Sequence, residues 1–461
     1  MFFRQYYLGC LSHASYLIGD TATGNAVVVD PQRDVAEYLA DARANGLTIV
    51  KVLETHFHAD FVSGHLELAA ATGATIGYGQ AATGRVEFPI ETFTDGQQID
   101  LGDVVLEIRE TPGHTPESIS IVVFPNGMSG EPEAVLTGDT LFIGDVGRPD
   151  LLSSVGHTAD DLARMLHHSI HQRLLVLPDE TKVFPAHGAG SACGKNLSTE
   201  TVSTIGEQRM TNYALAPMSE DEFVNAVTQG QSAAPLYFSF AANRNREIRE
   251  LLTDDVQVTA LTLDEVLKSQ AGGAIVIDTR DDMSFAGGHL RDSVNIGLGG
   301  RFAQYAGEVI EATTPVVLVT DIGQEAEAQV RLARIGFDLV LGALVEPLAT
   351  FVAHPEHIEK LSRLSVGALA ARIETVPDLV IVDVRTDGET ANGVVPGSRH
   401  ISLGTLLAHI DDLDAKKPTV IYCAGGYRSA IAASLLQARG FADVSDLIGG
   451  WSAWSAMAGP G

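Results

Sequence analysis

The chain has 461 residues, a length typical of two to four domains. Its formal net charge of −29 supplies no basic stripe for a phosphate backbone, which argues against nucleic acid as a partner. No apolar run approaches the ~20 residues of a membrane helix, and the N-terminus lacks a clean signal-peptide core. The three cysteines, Cys10, Cys193 and Cys423, are too few for a disulfide framework. These features predict a cytoplasmic protein without membrane attachment, whose functional cysteines act as free thiols.

The first part of the chain, residues 1–255, alternates between strand-like and helix-like segments. Predicted strands cover 25–30, 48–54, 104–109, 118–123, 134–136 and 182–184, and predicted helices cover 35–44 and 61–71. A polar stretch over 213–250 is also helical in character and is expected to close this region. Strands that alternate with helices favour a layered α/β domain.

The remainder of the chain contains one pattern twice, with a spacing of about 105 residues, which is the size of a duplicated domain. Each copy begins with a predicted helix, over 261–271 and 365–373. A strand, an extended run, a second strand and a helix that ends in Gly-Phe follow in the same order: 274–280, 287–296, 315–321 and 331–337, then 379–385, 394–401, 418–424 and 435–441. We therefore expect two α/β domains, over 256–358 and 359–461, with a linker near 354–364.

Four loops that follow predicted strands carry side chains suited to binding a metal ion. They read THFHAD at 55–60, TPGHT at 111–115, TGDT at 137–140 and PAHG at 185–188. Strand ends in a layered α/β domain converge on one crevice. Imidazole and carboxylate ligands from separate loops can hold a catalytic metal with open positions there. The candidate residues are His56, His58, Asp60, His114, Asp139 and His187.

These loops resemble those of the metallo-β-lactamase superfamily and, within it, the persulfide dioxygenases, which are relatives of glyoxalase II. The stretches that carry the resemblance are 55–64, 111–118, 137–151 and 184–196. The resemblance implies an αββα sandwich over residues 1–255, and one Fe²⁺ per chain bound by His56, His114 and Asp139. His58, Asp60 and His187 would then position the ligands or the substrate.

The same resemblance implies the reaction and its partners. The persulfide of a low-molecular-weight thiol, such as glutathione or coenzyme A, would be oxidised by O2 to sulfite and the free thiol. The identity of the thiol stays open, and a homo-oligomer stays open as well, because the superfamily often forms dimers or tetramers.

The sequence departs from the superfamily motif HxHxDH at Phe61, which replaces a residue that normally binds a second metal. This departure weakens the alternative of a dinuclear zinc thioester hydrolase like glyoxalase II. Arg148, in GDVGRPD at 144–150, is either a ligand for an anionic group of the thiol carrier or a surface arginine. Cys193 is either a small buried residue or a thiol that handles substrate sulfur.

The second copy of the repeat contains a cysteine loop, CAGGYRS at 423–429. Gly425 and Gly426 let backbone N–H groups surround the sulfur, while Arg428 and the following helix N-terminus favour the thiolate. Such a thiolate is a nucleophile that can carry sulfur as a persulfide, so Cys423 is a candidate catalytic residue. The loop resembles the CxxGxR loop of single-domain rhodaneses, in which Asp383 and Arg385 would be structural.

The corresponding loop of the first copy, TDIGQEA at 320–326, has no cysteine. Asp321 and Glu325 would repel an anionic sulfur, so we expect this copy to be inert in sulfur transfer. The order of domains resembles bacterial persulfide dioxygenase–rhodanese fusions that act in sulfide detoxification. There, sulfite combined with the sulfur carried on Cys423 would give thiosulfate. A non-catalytic sulfur carrier or sensor is a third alternative, and metal analysis with oxygen uptake separates the three.

Overall fold

The computed structural model describes residues 1–151, 156–231, 233–253 and 257–458. Two compact units are present, one formed by 1–234 with 238–255 and the other by 235–237 with 256–461. The domain boundary predicted at 255–256 and the C-terminal limit predicted at 461 lie outside the described residues. In the described ranges, no helix combines the length and apolar character needed to cross a bilayer.

The first unit contains two six-stranded sheets, ordered β1-β2-β3-β4-β5-β6 and β12-β11-β10-β9-β8-β7. The first sheet comprises β1 Phe2–Leu8, β2 His13–Gly19, β3 Asn25–Val29, β4 Thr48–Leu53, β5 Thr75–Gly79 and β6 Glu91–Phe93. The second comprises β7 Gln98–Asp100, β8 Val105–Glu110, β9 Ile119–Phe124, β10 Ala134–Gly138, β11 Lys182–Pro185 and β12 Ser203–Thr204. The helices are α1 Ala36–Ala44, α2 His65–Thr72, α3 Ala159–Ser169, α4 Ile205–Thr211, α5 Glu220–Thr228 and α6 Phe238–Arg244.

Three apolar clusters show that these elements form four layers. A central cluster joins the two sheets, with Leu53 of β4 and Ile121 of β9 among its members. A second cluster packs Tyr38 of α1 on the outer face of the first sheet. A third packs Leu166 of α3 and Phe223 of α5 on the outer face of the second sheet. Burying each such side chain contributes about 1.5–3 kcal/mol, and the αββα sandwich predicted from the sequence is confirmed.

Helix α2 begins at His65, four residues later than the predicted start at residue 61. The backbone of the preceding loop is bonded elsewhere, because Ser63 N–H donates to Asn245 Oδ1 and Gly64 N–H donates to the Pro31 carbonyl. A Cβ atom at Gly64 would lie 2.2 Å from the Gln32 carbonyl oxygen, so only glycine fits there. Contacts from distant segments therefore hold this loop out of the helix.

The polar stretch predicted as helical over 213–250 is divided into shorter pieces. A single turn covers Tyr213–Leu215, and α5 and α6 follow, while residue 232 lies outside the described residues. Pro217 and Pro235 stand between these pieces. Proline has no N–H to continue a helix, and it disfavours the helical conformation of the residue before it.

The second unit contains two five-stranded parallel sheets of matching order, β13-β18-β17-β14-β16 and β20-β24-β23-β21-β22. Its first copy comprises β13 Ala260–Leu261, α7 Leu263–Ala271, β14 Ile275–Asp278, α8 Asp282–Gly287, β15 His289–Leu290, β16 Ser293–Asn295, α9 Phe302–Val309, β17 Val316–Val319, α10 Glu325–Ala333, β18 Val340–Leu344, α11 Pro347–Ala353 and β19 Ile358–Glu359. The second comprises β20 Ser362–Leu364, α12 Val366–Thr375, β21 Val380–Asp383, α13 Asp387–Thr390, β22 Arg399–His400, α14 Leu406–His409, β23 Thr419–Tyr422, α15 Tyr427–Ala438, β24 Val444–Leu447 and α16 Gly450–Ala458.

The matching strand order is the structural form of the sequence repeat, and it confirms two α/β domains of one kind. The predicted linker over 354–364 is not free of regular structure. Within it, strand β19 (Ile358–Glu359) pairs with β15 of the first copy. Strand β20 (Ser362–Leu364) pairs with β24 of the second copy.

Candidate metal centre and sulfur-carrying loop

The loops after β4, β8 and β10 bring His56, His114 and Asp139 together. The ligand atoms of these three residues lie within 4.8 Å of one another, and each side chain is almost completely buried. Asp139 Oδ2 lies 3.8 Å from His56 Nε2 and 3.5 Å from His114 Nε2. In the described part of the chain, this oxygen has no hydrogen-bond partner. Two imidazole nitrogens that converge on an unsatisfied carboxylate oxygen fit a metal ion bound by one face.

Both imidazoles are oriented by contacts behind them. His114 Nδ1 lies 2.8 Å from the Arg148 carbonyl oxygen, so this nitrogen carries the proton and Nε2 presents its lone pair. His56 Nδ1 lies 2.9 Å from Thr55 Oγ1, whose hydroxyl donates to Asp30 Oδ2. Burial, with the neighbouring His58 and His114, holds the pKa of His56 well below its usual value. A neutral imidazole is the form that binds a metal.

The second group of predicted residues, Asp60, His187 and Cys193, lies beside the triad. His187 bridges two carboxylates, since Nε2 lies 2.7 Å from Asp60 Oδ2 and Nδ1 lies 2.7 Å from Asp139 Oδ1. Burial opposes the charged form, but Asp139 and Asp60 outweigh it and raise the pKa of His187 well above its usual value. The same contacts lower the pKa of Asp139 although burial alone would raise it. A charged His187 therefore ties together two groups that a second metal would need.

Phe61 occupies the position at which the superfamily motif has a metal ligand. Its side chain is buried, and its ring centroid lies 4.0 Å from that of His13 and 4.4 Å from that of His58. The aromatic ring offers no lone pair. One side of the position that a second metal would occupy is therefore apolar.

His58 does not join the triad, although its ring lies 4.1 Å from that of His56. His58 Nε2 lies 3.1 Å from Asp30 Oδ1 and 3.5 Å from Glu54 Oε2, all three side chains being buried. Burial and the nearby Asp30 raise the pKa of Glu54 well above its usual value. Sequence reasoning missed Asp30 and Glu54, although they directly follow β3 and β4, and the His56 loop begins at the end of β4.

Arg148 and Cys193 lie behind and beside the centre. Arg148 is 2% exposed, so the alternative of a surface arginine is wrong. Its Nε and Nη2 donate to the two oxygens of Asp150 at 2.7 Å each, and Nη1 donates to the Ala192 carbonyl. Cys193 is buried, and burial together with Asp60 and Asp139 raises the pKa of its thiol well above the usual value.

The cysteine loop of the second unit holds a buried sulfur at the start of α15. The Gly426 N–H donates to Cys423 Sγ at 3.1 Å, and Sγ lies 3.6 Å from Ser429 Oγ. Gly426 has φ +119°, a conformation that favours glycine. Gly425 is exposed on the outside of the loop. Ser429 was missed from the sequence, although it stands at the end of the quoted motif.

The Arg428 guanidinium is held in an ion pair with a residue outside the cysteine loop. Its Nη1 and Nη2 donate to the two carboxylate oxygens of Glu389 at 2.7 Å and 2.6 Å. Arg428 and Cys423 are nonetheless close enough to interact electrostatically, and this interaction is among the causes that raise the pKa of Arg428. Glu389 lies in α13, far from the loop in sequence, and nothing in the motif indicates it.

Comparison with known proteins agrees with this geometry. The Metallo-beta-lactamase superfamily profile matches residues 8–187, and the Rhodanese-like domain profile matches residues 262–342 and 365–457. The mitochondrial persulfide dioxygenases ETHE1 of Bos taurus and Homo sapiens are each 30% identical over 233 residues, covering 50% of this chain and 82% of each relative. The chain belongs to the persulfide dioxygenase ETHE1 family.

Two further relatives bear on the alternatives. A metallo-beta-lactamase crystal structure from Staphylococcus aureus subsp. aureus COL is 32% identical, with a TM-score of 0.67, covering 74% of this chain and 98% of that chain. A hydroxyacylglutathione hydrolase from Polaromonas sp. is 35% identical over 174 residues, covering 38% of this chain and 61% of the relative. The family predicted from the metal motifs is confirmed, and the hydrolase alternative also has a relative.

The rhodanese-like profile matches both copies of the repeat, including the one without a cysteine. The structure explains how that copy differs. Its loop has a glycine in a similar conformation, Gly323 with φ +89°, but the Gly323 N–H donates to Glu325 Oε2 at 2.9 Å. The amide that faces sulfur in the second copy faces a carboxylate in the first.

Proposed function

We propose that this ETHE1-family protein oxidises a low-molecular-weight persulfide with O2 to sulfite and thiol, using one ferrous ion bound by His56, His114 and Asp139. The observation that carries the proposal is the convergence, among the described residues, of two imidazoles on a carboxylate oxygen that has no hydrogen-bond partner there. Ferrous iron, when bound, supplies redox chemistry toward O2 with open positions, whereas zinc is redox-inert. Persulfides of glutathione and coenzyme A are the first substrates to test. We place the reaction in the cytoplasm.

The residues around the triad have two further roles in this proposal. The contacts behind His56 and His114 hold both imidazoles with Nε2 aimed at the metal position. The Asp60–His187–Asp139 chain and Phe61 close the second metal position, which favours one metal over two. The nearly complete burial of these groups limits their contact with bulk solvent.

We infer a second activity at Cys423, sulfur transfer to sulfite. The Cys423 thiolate attacks the outer sulfur of a persulfide, whose S–S bond breaks and releases the thiol. Sulfite then attacks the sulfur now held on Cys423. A new S–S bond forms thiosulfate, and the electron pair of the broken bond returns to Cys423 Sγ. The Gly426 N–H stabilises the negative sulfur in both steps.

Three domains follow from this assignment: 1–255 for the dioxygenase, 256–358 for the cysteine-less rhodanese-like domain, and 359–461 for the sulfur-carrying domain. Arg148, through its carbonyl contact with His114 and its pair with Asp150, shapes the loop beside the metal rather than presenting a free guanidinium.

Anaerobic reconstitution with stoichiometric ferrous iron, followed by metal analysis and oxygen-uptake assays with several persulfides, tests the first activity. We expect about one iron per chain, lost in His56→Ala, His114→Ala or Asp139→Ala, because each removes one of three ligands. His171→Ala, outside the centre, is the matched control and should keep its iron.

Two tightly bound zinc ions, with thioesterase activity and no oxygen uptake, would instead support the hydrolase alternative. The Polaromonas hydroxyacylglutathione hydrolase is the relative that favours it.

A further inference from the structure

The cysteine loop of the second copy is docked against the first copy. Helix α15, which begins in that loop, packs on β16, the edge strand of the first sheet. Asn295 N–H donates to Ser434 Oγ at 2.9 Å, and both residues are buried. At the start of the same helix, the Tyr427 hydroxyl donates to the Gly297 carbonyl. The first copy therefore forms part of the surroundings of Cys423.

Helix α9 of the first copy presents Tyr305 to this loop. The ring centroids of Tyr305 and Tyr427 lie 5.4 Å apart. The Arg301 guanidinium lies over the Tyr305 ring at 5.6 Å and is held by its Nε donating to Gln304 Oε1 at 2.7 Å. Contacts on both sides thus fix the orientation of the phenol ring.

The Tyr305 phenol, whose ring contacts that of Tyr427, lies close enough to Arg428 and Cys423 to interact with them electrostatically. Burial raises the pKa of Tyr305, so the phenol keeps its proton, while Arg301, Arg428 and Cys423 are among the groups that act on it electrostatically. No described residue hydrogen-bonds to this hydroxyl. A protonated phenol without a partner is a donor available to a ligand.

Two acidic residues of the first copy near the loop, Glu308 and Asp282, each have cationic neighbours. Burial raises the pKa of Glu308, which favours its uncharged form beside Arg301 and Arg428. Asp282 lies 2.8 Å from Arg363 and is paired with it. The surroundings of Cys423 on this side therefore admit an anion, although the whole chain is strongly acidic.

We propose that Tyr305 of the cysteine-less copy and Arg428 of the second copy together bind sulfite, the anionic sulfur acceptor, beside Cys423. The phenol donates a hydrogen bond to a sulfite oxygen, and the guanidinium, which has N–H groups beyond the two that bind Glu389, supplies positive charge. The sulfite sulfur then attacks the sulfur carried on Cys423, with the bond changes given above. This inference rests on the proposed sulfur transfer.

The test compares Tyr305→Phe with Ser434→Ala in the full-length protein. Ser434→Ala removes one hydrogen bond between the copies but lies away from the sulfite position, so it controls for weakened docking. Thiosulfate formation is measured against sulfite concentration, and loading of sulfur onto Cys423 by a persulfide is followed separately by mass spectrometry.

A hydrogen bond to a charged group contributes about 1.5–3 kcal/mol, so we expect Tyr305→Phe to raise the KM for sulfite at least about tenfold. Sulfur loading should stay unchanged, and Ser434→Ala should keep the KM within about twofold, less than the loss of such a bond would cause. An unchanged KM in Tyr305→Phe, or equal changes in the two variants, would overturn the inference while leaving sulfur transfer intact. A wild-type protein that loads no sulfur would instead refute the proposed transfer, and this inference with it.

Discussion

The two rhodanese-like copies share a buried framework and differ in the loop that it supports. In both, an arginine two residues after a strand-end aspartate folds back onto it, with Arg280 Nη2 and Arg385 Nη2 each 2.6 Å from an aspartate oxygen. The same nitrogens also donate to the carbonyls of Gly288 and Gly393. Each guanidinium lies over an aromatic ring, Phe351 at 5.0 Å in the first copy and Trp451 at 4.9 Å in the second.

The loops diverge at the position of the glycine amide. Gly426 N–H donates to Cys423 Sγ, while Gly323 N–H donates to the Glu325 carboxylate. The position of Arg428 in one copy is that of Glu325 in the other. The comparison teaches that the two copies keep the same buried framework and differ in a few loop residues, on which the proposed sulfur transfer depends.

The largest effect should come from removing Cys423, the cysteine of the two repeats. Cys423→Ser should abolish thiosulfate formation, because no sulfur–sulfur bond can form on serine, and leave oxygen uptake largely intact. Ion chromatography and an oxygen electrode measure the two activities. Cys10→Ser is the matched control. Equal loss of both activities in Cys423→Ser would refute two separate sites.

The shared framework can be broken in each copy in turn. Arg385→Met and Arg280→Met should each lower the free energy of unfolding of their copy by about 3–5 kcal/mol, because each leaves a buried aspartate without its arginine counter-charge. Urea denaturation followed by circular dichroism measures both variants. Trp451 and Trp454, the two tryptophans of the chain, report the second copy by fluorescence. A large effect in one copy alone would show that the framework is not equivalent.

A smaller effect is expected from breaking the ion pair between Arg428 and Glu389 in the second copy. Burial opposes ionisation, but Arg428 outweighs it and lowers the pKa of Glu389 to about 2. A lowered carboxyl pKa stabilises the folded state above the unfolded value of 4.5, and this contribution disappears as the pH falls toward 2.

Glu389→Gln should therefore cost about 1 kcal/mol near neutral pH, since the pair is partly exposed, and almost nothing near pH 2. Denaturation at several pH values, followed by tryptophan fluorescence, measures the difference. A cost that does not depend on pH would contradict this account.

The smallest effect is expected from adding a cysteine to the first copy, which should not create thiosulfate formation there. Thr320→Cys places a thiol at the first-copy position that corresponds to Cys423, and in a Cys423→Ser background it should restore no thiosulfate formation. The Glu325 carboxylate already occupies the Gly323 amide and repels an anionic sulfur. Restored activity in this variant would show that a cysteine alone suffices.

The sequence predicted a metal site among six loop residues because they follow strands whose ends meet at one edge, and the family resemblance implied the set His56, His114 and Asp139, whose ligand atoms the structure brings together. It could not predict that His58 turns toward Asp30 and Glu54, since this depends on side-chain packing among segments distant in sequence. The burial of Arg148 also depends on a distant segment, because its Nη1 donates to the Ala192 carbonyl. Likewise, the start of the helix at His65 is set by bonds to Asn245 and Pro31, which no local pattern contains.

The Glu325 carboxylate acts in effect as a tethered ligand. A group linked by so short a chain meets its binding amide at a high effective concentration, so free anions compete with it poorly. The thermal stability of the first copy should therefore hardly respond to added sulfite or thiosulfate. Under the proposed sulfur transfer, the second copy takes such anions only from solution, so its melting temperature should rise with their concentration. In the first copy the amide site would then always be occupied by Glu325. The stability of the second copy would instead vary with the concentration of sulfite or thiosulfate around the protein.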